Sequence, residues 1–215
     1  MSLPLSVDIV SDVVCPWCYL GKRRFERALT LTDVPVTVRW RPYQLDATLP
    51  PEGKDRTAYM VAKFGSLERI QAAHERLREA GAVEGIRFDF DAIRVAPNTL
   101  DAHRLLRWAG EAGVADAVAT ALFRAYFEAG RDIGDGATLA EIAEANGMDA
   151  QEVRIRLASG DDIESVSGEV ADAQRMGVTG VPTFIVAGKY AVVGAQEPEA
   201  IARALETIAK KQEAA

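Results

Sequence analysis

Cysteine is scarce in this sequence. The 215 residues include only two cysteines, Cys15 and Cys18, and both belong to one Cys-x-x-Cys motif. No cysteine is left to form a structural disulfide elsewhere, which is typical of proteins from a reducing compartment. A chain of this length does not need such cross-links, because it can bury roughly 70% of the surface that its unfolded form exposes.

The sequence also lacks long hydrophobic runs and clusters of basic residues. No apolar segment approaches the roughly 20 residues that cross a bilayer. The segment Met1–Pro4 has neither the basic nor the apolar region of a secretory signal. The formal net charge is -7, with 25 Lys and Arg against 32 Asp and Glu. We therefore expect a cytoplasmic protein that binds neither nucleic acid nor a membrane.

The motif Cys15-Pro16-Trp17-Cys18 stands between an alternating apolar run and a helical pattern. A Cys-x-x-Cys at the junction of a strand and a helix is typical of redox sites. The unpaired N–H groups and the positive dipole of the helix start favour a thiolate at Cys15. Pro16 suits the first turn, because it has no N–H group that would need a partner there.

A zinc site is the alternative interpretation of two neighbouring cysteines. Structural zinc takes four ligands, and His74 and His103 are the only histidines that could complete the set. They are far apart in the sequence and do not have zinc-finger spacing. The motif therefore favours redox chemistry, and we expect no metal.

Apolar patterning divides the chain into two β-rich ends and a helical middle. Strands are predicted at residues 5–12, 34–40, 183–186 and 190–193. Helices are predicted at residues 15–30, 56–64, 66–80, 99–112, 114–128, 138–146, 149–158, 162–176 and 198–211. The first strand, helix and second strand predict a parallel pair with a right-handed crossover. We expect an α/β fold in which residues 1–50 and 177–215 form one domain and residues 51–176 form a helical insertion.

A second motif, Gly177–Phe184, stands just before the third predicted strand. A Val-Pro bond that leads directly into a strand is unusual, because proline cannot donate to the hydrogen-bond ladder. From the residues alone, a turn proline and a cis proline both remain open at Pro182.

Together, the two motifs resemble the DsbA-like branch of the thioredoxin superfamily, and within it the FrnE-like group. The resemblance covers almost the whole chain. It rests on Cys15–Gly21, Arg41–Leu45, Asn98–Thr99 with Ala102–Leu105, and Gly177–Phe184. It implies a thioredoxin fold with an inserted all-helical domain, and a thiol–disulfide oxidoreductase acting on protein or small-thiol substrates.

The resemblance also implies roles for individual residues. Cys15 would be the exposed nucleophile, Cys18 the resolving thiol, and Pro182 a cis proline packed against the disulfide. The substrate-binding residues would be Pro16, Trp17, Val181 and Thr183, with the Val181 backbone pairing with an extended substrate segment. No cofactor is implied beyond the redox-active disulfide, with glutathione as an alternative co-substrate. The redox partner is left undetermined, and the protein would be a monomer or a homodimer.

Three other functions stay open at this point. Kappa-class glutathione transferases and 2-hydroxychromene-2-carboxylate isomerases share the scaffold, but they typically have serine where Cys15 stands and lack the second cysteine. A chaperone-like binding module would use its cysteines only for regulation. A structural zinc protein is the third alternative.

Several polar residues have two interpretations each. Asp12 either relays protons for the cysteines or caps the loop before the helix, and capping is favoured. His103 is predicted to be a packed, hydrogen-bonded histidine rather than a catalytic one. The run Lys22–Arg24 is predicted to form a solvated helix face, with added positive potential near Cys15 as the alternative.

Overall fold

A computed structural model describes residues 4–213 of the chain. Its main sheet has four strands in the order β2-β1-β5-β6. The six strands of the structure are β1 Leu5–Ser11, β2 Val36–Pro42, β3 Lys54–Asp55, β4 Val95–Ala96, β5 Thr183–Val186 and β6 Tyr190–Val193. The helices are α1 Pro16–Leu29, α2 Arg56–Phe64, α3 Leu67–Val83, α4 Leu100–Glu111, α5 Ala115–Phe127, α6 Gly136–Ala145, α7 Ala150–Ser159, α8 Ile163–Arg175 and α9 Pro198–Glu213. The predicted elements agree with these bounds to within three residues.

Both ends of the chain contribute to the main sheet, as predicted. β1 runs parallel to β2, with Val7 opposite Val38, and the α1 crossover joins them. On its other edge β1 pairs with β5 in the antiparallel sense, and β5 and β6 form a hairpin. This topology brings the end of β1 and the start of β5 next to each other, although more than 160 residues separate them along the chain. The predicted thioredoxin fold with a helical insertion is confirmed.

In the helical middle, aspartate side chains cap the N-termini of two helices. The Asp135 and Asp149 side chains accept hydrogen bonds from the first turns of α6 and α7. A small sheet of β3 and β4 was not predicted, because each strand has only two residues and gives no periodic signal. No helix in residues 4–213 has both the length and the hydropathy that a bilayer-spanning helix needs.

One hydrophobic core joins the start of α1 to the helical middle. Tyr19 stacks on Phe123, with ring centroids 5.1 Å apart, and its hydroxyl donates a 2.7 Å hydrogen bond to Glu128. The same cluster of buried residues includes both cysteines and Leu20 from α1. A second cluster of buried residues packs the sheet against α1 and α9.

The prediction of a solvated face at Lys22–Arg24 is wrong for Lys22. Its side chain is only 1% exposed and forms ion pairs with Glu26 and with Asp116 of α5. Arg24 is also largely covered and pairs with Glu197. The reason is the insertion itself, because α5 packs over this face of α1 and supplies Asp116 from a distant part of the sequence.

Candidate active site

The two cysteines lie at the N-terminus of α1, directly after β1. Cys15 is the N-cap residue, and its carbonyl accepts hydrogen bonds from the Cys18 and Tyr19 amides at 3.0 and 3.3 Å. Pro16 begins the helix, so no N–H group is lost at that position. Cys15 therefore stands at the positive end of the helix dipole, and its side chain makes no cap hydrogen bond to the first turn.

The expectation that Cys15 is exposed is wrong. Cys15 is 4% exposed, and the loop before β5 covers it. Its sulfur lies 3.7 Å from the carbonyl oxygen of Val181. The sequence could not show this cover, because 166 residues separate the two positions. Cys15 lines a cavity, so a substrate would meet its sulfur there and not on the open surface.

Cys18 lies deeper, on the first turn of α1, and is 2% exposed. Burial raises the pKa of the Cys18 thiol well above its ordinary range, and hydrogen bonding and charge from Cys15 raise it further. Ser11 and the Asp12 backbone counteract part of this rise. Both cysteines are free thiols in the structure. The two sulfurs therefore have different environments, a helix N-terminus beside a cavity for Cys15 and an enclosed site for Cys18.

The loop that covers Cys15 contains the second sequence motif. The Val181–Pro182 peptide bond is cis. Pro182 is buried against α1, where a Cβ added to Gly21 would lie 2.7 Å from the proline Cγ. Thr183 is buried and donates a 2.8 Å hydrogen bond to the Gly180 carbonyl. Of the residues predicted here to bind substrate, Val181 reaches the cavity beside Cys15, whereas the Thr183 hydroxyl is used within the loop.

Asp12 and His103 lie together behind the motif, both buried. The prediction that Asp12 caps the loop before the helix is wrong, because its side chain accepts a 2.8 Å hydrogen bond from the distant Leu45 amide and α1 has no side-chain cap. His103 is packed and hydrogen-bonded as predicted: its Nε2 lies 2.9 Å from the Tyr43 carbonyl. Since a carbonyl only accepts, that nitrogen carries a proton and donates. The same nitrogen is 3.4 Å from Asp12 Oδ1.

A cavity of about 700 Å³, the Cys15 cavity, opens beside the nucleophile. Pro16 and half-exposed Trp17 form its rim at the start of α1, and Val181 lies on the facing loop. The rest of the wall comes mostly from α2 and α3 and is largely apolar, with Met60, Phe64, Ile70 and Leu77 among its residues. Its volume is within the range of sites that bind small molecules.

Several polar residues of the Cys15 cavity were not predicted to lie at this site, and His74 was considered only as a zinc ligand. Arg56, 9% exposed, donates a 3.3 Å hydrogen bond to the Tyr126 hydroxyl, while Lys63 and Arg69 add two further positive charges to the wall. His74 stacks on Phe90 at 3.9 Å, and burial lowers the pKa of His74 to about 4, so its ring is neutral at pH 7. These residues lie on amphipathic helices without a motif, so only the folded arrangement reveals them.

The described residues contain no cluster of three or more His, Cys, Asp or Glu side chains that could hold a metal ion. His74 and His103 lie on different cavities, one lined by Cys15 and the other by Ser11. What the site offers chemically is a thiol at a helix N-terminus, a second thiol next to it, and space for a ligand beside the first.

Comparisons with known proteins agree with this geometry. A family model described as the DSBA-like thioredoxin domain matches residues 6–206. The structure of a probable DsbA oxidoreductase from Streptomyces coelicolor is 36% identical, with a TM-score of 0.88, and the match covers 96% of this chain and 90% of that one. The uncharacterized protein YwbO of Bacillus subtilis (strain 168) is 27% identical over 98% of this chain and 100% of its own length.

A more distant structure shares the fold. The cytosolic disulfide reductase DsbM from Pseudomonas aeruginosa, solved with GSH, is 18% identical with a TM-score of 0.67. The match covers 95% of this chain and 99% of that one.

Proposed function

The chain belongs to the family of the DSBA-like thioredoxin domain, and from this premise we propose that it is a thiol–disulfide oxidoreductase acting through Cys15 and Cys18. One observation carries the proposal: the two thiols share the start of α1, and Cys15 alone lines an open cavity. Disulfide exchange needs such a pair, one sulfur that meets the substrate and one that resolves the mixed disulfide.

In the proposed reaction, the Cys15 thiolate attacks a substrate disulfide and forms a mixed disulfide. One substrate sulfur leaves as a thiolate. Cys18 then attacks Cys15, the second substrate sulfur leaves, and the Cys15–Cys18 disulfide remains. Run in reverse, the same steps oxidise a substrate dithiol. We propose protein or small-thiol substrates, a separate redox partner and a reducing compartment such as the cytoplasm, because both cysteines serve this one motif.

Trapping of the mixed disulfide tests the mechanism. Reduced Cys18→Ala should accumulate a covalent adduct with glutathione disulfide or a disulfide-containing peptide, because the resolving thiol is gone. Intact-protein mass spectrometry would show one adduct per chain, which dithiothreitol releases. Cys15→Ala is the matched control and should accumulate almost none, because its remaining sulfur is enclosed. Since both sulfurs are buried, circular dichroism must confirm that each variant is folded.

A glutathione-dependent isomerase or transferase is the second candidate. The size of the Cys15 cavity favours it. So do the positive charges of Arg56, Lys63 and Arg69, which outnumber the carboxylates of Asp12 and Asp46 in the same wall, because glutathione carries two carboxylates. The presence of Cys18 argues against it, since that chemistry needs one working thiol. The same variants separate the two functions: for an isomerase, Cys18→Ala would keep its turnover and trap nothing. A folded Cys18→Ala that traps no adduct would overturn the disulfide-exchange mechanism.

A further inference from the structure

The nucleophile of the proposed reaction is enclosed. Cys15 is 4% exposed, and its sulfur is met in the Cys15 cavity. A small disulfide fits into a space of about 700 Å³, whereas a cysteine within a polypeptide carries chain on both sides that must also be admitted. Exchange with a peptide disulfide therefore calls for a cavity wall that can move.

Of the described helices, α2 has the fewest buried residues. Arg56 is its single buried residue, and none of the described residues 57–69 is buried. No described residue of α2 belongs to a hydrophobic core cluster. Segments with few buried apolar contacts open at a low cost in free energy. α2 nevertheless forms a large part of the cavity wall, to which it contributes Arg56, Tyr59, Met60, Lys63 and Phe64.

The two ends of α2 are held differently. At the N-terminal end, the Arg56 amide donates a 2.9 Å hydrogen bond to the Arg94 carbonyl, and the preceding β3 pairs with β4. At the C-terminal end, Gly65 has a φ of +92°, which residues with a side chain rarely adopt. A Cβ added there would meet, within 4 Å, only the Arg69 side chain. α2 can therefore swing about its N-terminal end while Gly65 takes up the change in backbone direction.

A side-chain hydrogen bond holds the middle of α2 to the loop after β2. The Tyr59 hydroxyl donates to Asp46 Oδ2 at 3.1 Å. Lys63, one turn later, donates to the same hydroxyl at 2.9 Å, which leaves the hydroxyl proton for Asp46. Thr48 fixes Asp46 in turn, since its amide and hydroxyl both donate to Oδ1. The Tyr59–Asp46 bond therefore joins a loosely packed helix to a fixed acceptor.

We propose that Tyr59 determines which substrates reach Cys15. While the Tyr59–Asp46 bond is formed, α2 is a closed lid on the cavity, and Cys15 reacts with small disulfides. Extended peptide disulfides react after the bond breaks and α2 swings outward, so their rate follows the population of the open form. This inference rests on the proposed function, because it concerns access to the nucleophile of the same exchange.

Two probes with the same leaving group test the lid. The small probe is 2,2′-dithiodipyridine, and the large probe is an extended peptide whose central cysteine carries a 2-thiopyridyl group. In both reactions the Cys15 thiolate attacks a disulfide sulfur, a mixed disulfide forms, and pyridine-2-thione leaves and is measured by absorbance. Cys18→Ala is the background, so that the mixed disulfide is not resolved. Each rate constant is divided by that for free glutathione, which removes differences in the intrinsic reactivity of the probes.

Tyr59→Phe in this background should react faster with the peptide alone. Loss of one hydrogen bond shifts an equilibrium by about fivefold, so the normalised peptide rate should rise about fivefold while the rate with the small probe stays unchanged. Tyr190→Phe is the matched control and should alter neither rate, because Tyr190 lies on β6 and is not part of the described cavity wall.

Hydrogen exchange shows where the protein opens. A nine-residue helix is marginal once it is detached, so the amides of residues 57–64 should exchange faster than those of α4 and α5, and faster again in Tyr59→Phe. Equal normalised rates for the two probes, or a peptide rate that Tyr59→Phe leaves unchanged, would overturn the lid. So would an equal rise of both rates in Tyr59→Phe. A folded Cys18→Ala protein that reacts with neither probe would instead contradict the role of Cys15 in the proposed function, and with it the inference.

Discussion

At the scale of single residues, the two cysteines differ because of what surrounds each sulfur. Cys15 faces a helix N-terminus, the Val181 carbonyl and a cavity. Cys18, three positions later, faces the interior, and burial is the largest cause of its raised pKa. The proposed division into a nucleophile and a resolving thiol therefore rests on the three-dimensional environment, since the two side chains are identical.

Alkylation of the reduced protein should follow this difference. With limiting iodoacetamide at neutral pH, peptide mapping should find Cys15 labelled and Cys18 unlabelled. Because the pKa of Cys18 is raised, its thiol stays protonated and unreactive, and labelling should begin only above the ordinary pH range of thiols. Protein denatured in urea is the control and should be labelled at both positions. Preferential labelling of Cys18 in the folded protein would reverse the two roles.

At the scale of elements, α1 and the loop before β5 position each other. Gly21 lies on the second turn of α1, where an added Cβ would come within 2.7 Å of the Pro182 side chain and 3.6 Å of the Ala195 backbone. The absence of a side chain at Gly21 allows the loop to approach the helix and to bring Val181 over Cys15. A glycine inside a helix costs about 1 kcal/mol relative to alanine, so the close contact explains a residue that helix propensity disfavours.

Gly21→Ala should therefore destabilise the protein although it improves helix propensity. Overpacking costs roughly 1–3 kcal/mol, and the gain in propensity offsets about 1 kcal/mol of it, so the free energy of unfolding in urea should fall by about 1 kcal/mol. Gly168→Ala in α8 is the matched control. It is exposed and an added Cβ meets nothing within 4 Å, so this variant should be at least as stable as the wild type. A Gly21→Ala protein as stable as Gly168→Ala would contradict the packing argument.

At the scale of the whole molecule, the sequence predicted what depends on local pattern. The strand-to-helix position of Cys15, the hairpin and the helices of the middle all follow from periodicity and turn residues. The predictions for the exposure of Cys15 and Lys22 and for the role of Asp12 were wrong, because partners distant in the sequence decide them. These partners are Val181 for Cys15, Asp116 for Lys22 and Leu45 for Asp12.

The same long-range contacts join the two predicted parts of the chain. Tyr19 of the first part stacks on Phe123 and meets Phe88 edge-on, both in the second part, and Lys22 forms an ion pair with Asp116. The core cluster that contains both cysteines draws most of its residues from α4 to α7. If residues 51–176 unfolded alone, this face of α1 would be exposed to water, with a loss of about 25 cal/mol per Å² of apolar surface.

We therefore expect the chain to unfold in a single transition, although many proteins of this length unfold in steps. The tryptophans allow a test, because Trp40 lies in the sheet and buried Trp108 lies in the helical middle. One variant, Trp17→Phe with Trp40→Phe, reports on the middle, and another, Trp17→Phe with Trp108→Phe, reports on the sheet. In each variant, the urea midpoint from fluorescence should coincide with the midpoint from far-ultraviolet circular dichroism. Comparison within one variant removes the effect of the substitutions on stability, so separate midpoints would mean that the helical insertion is an independent folding unit.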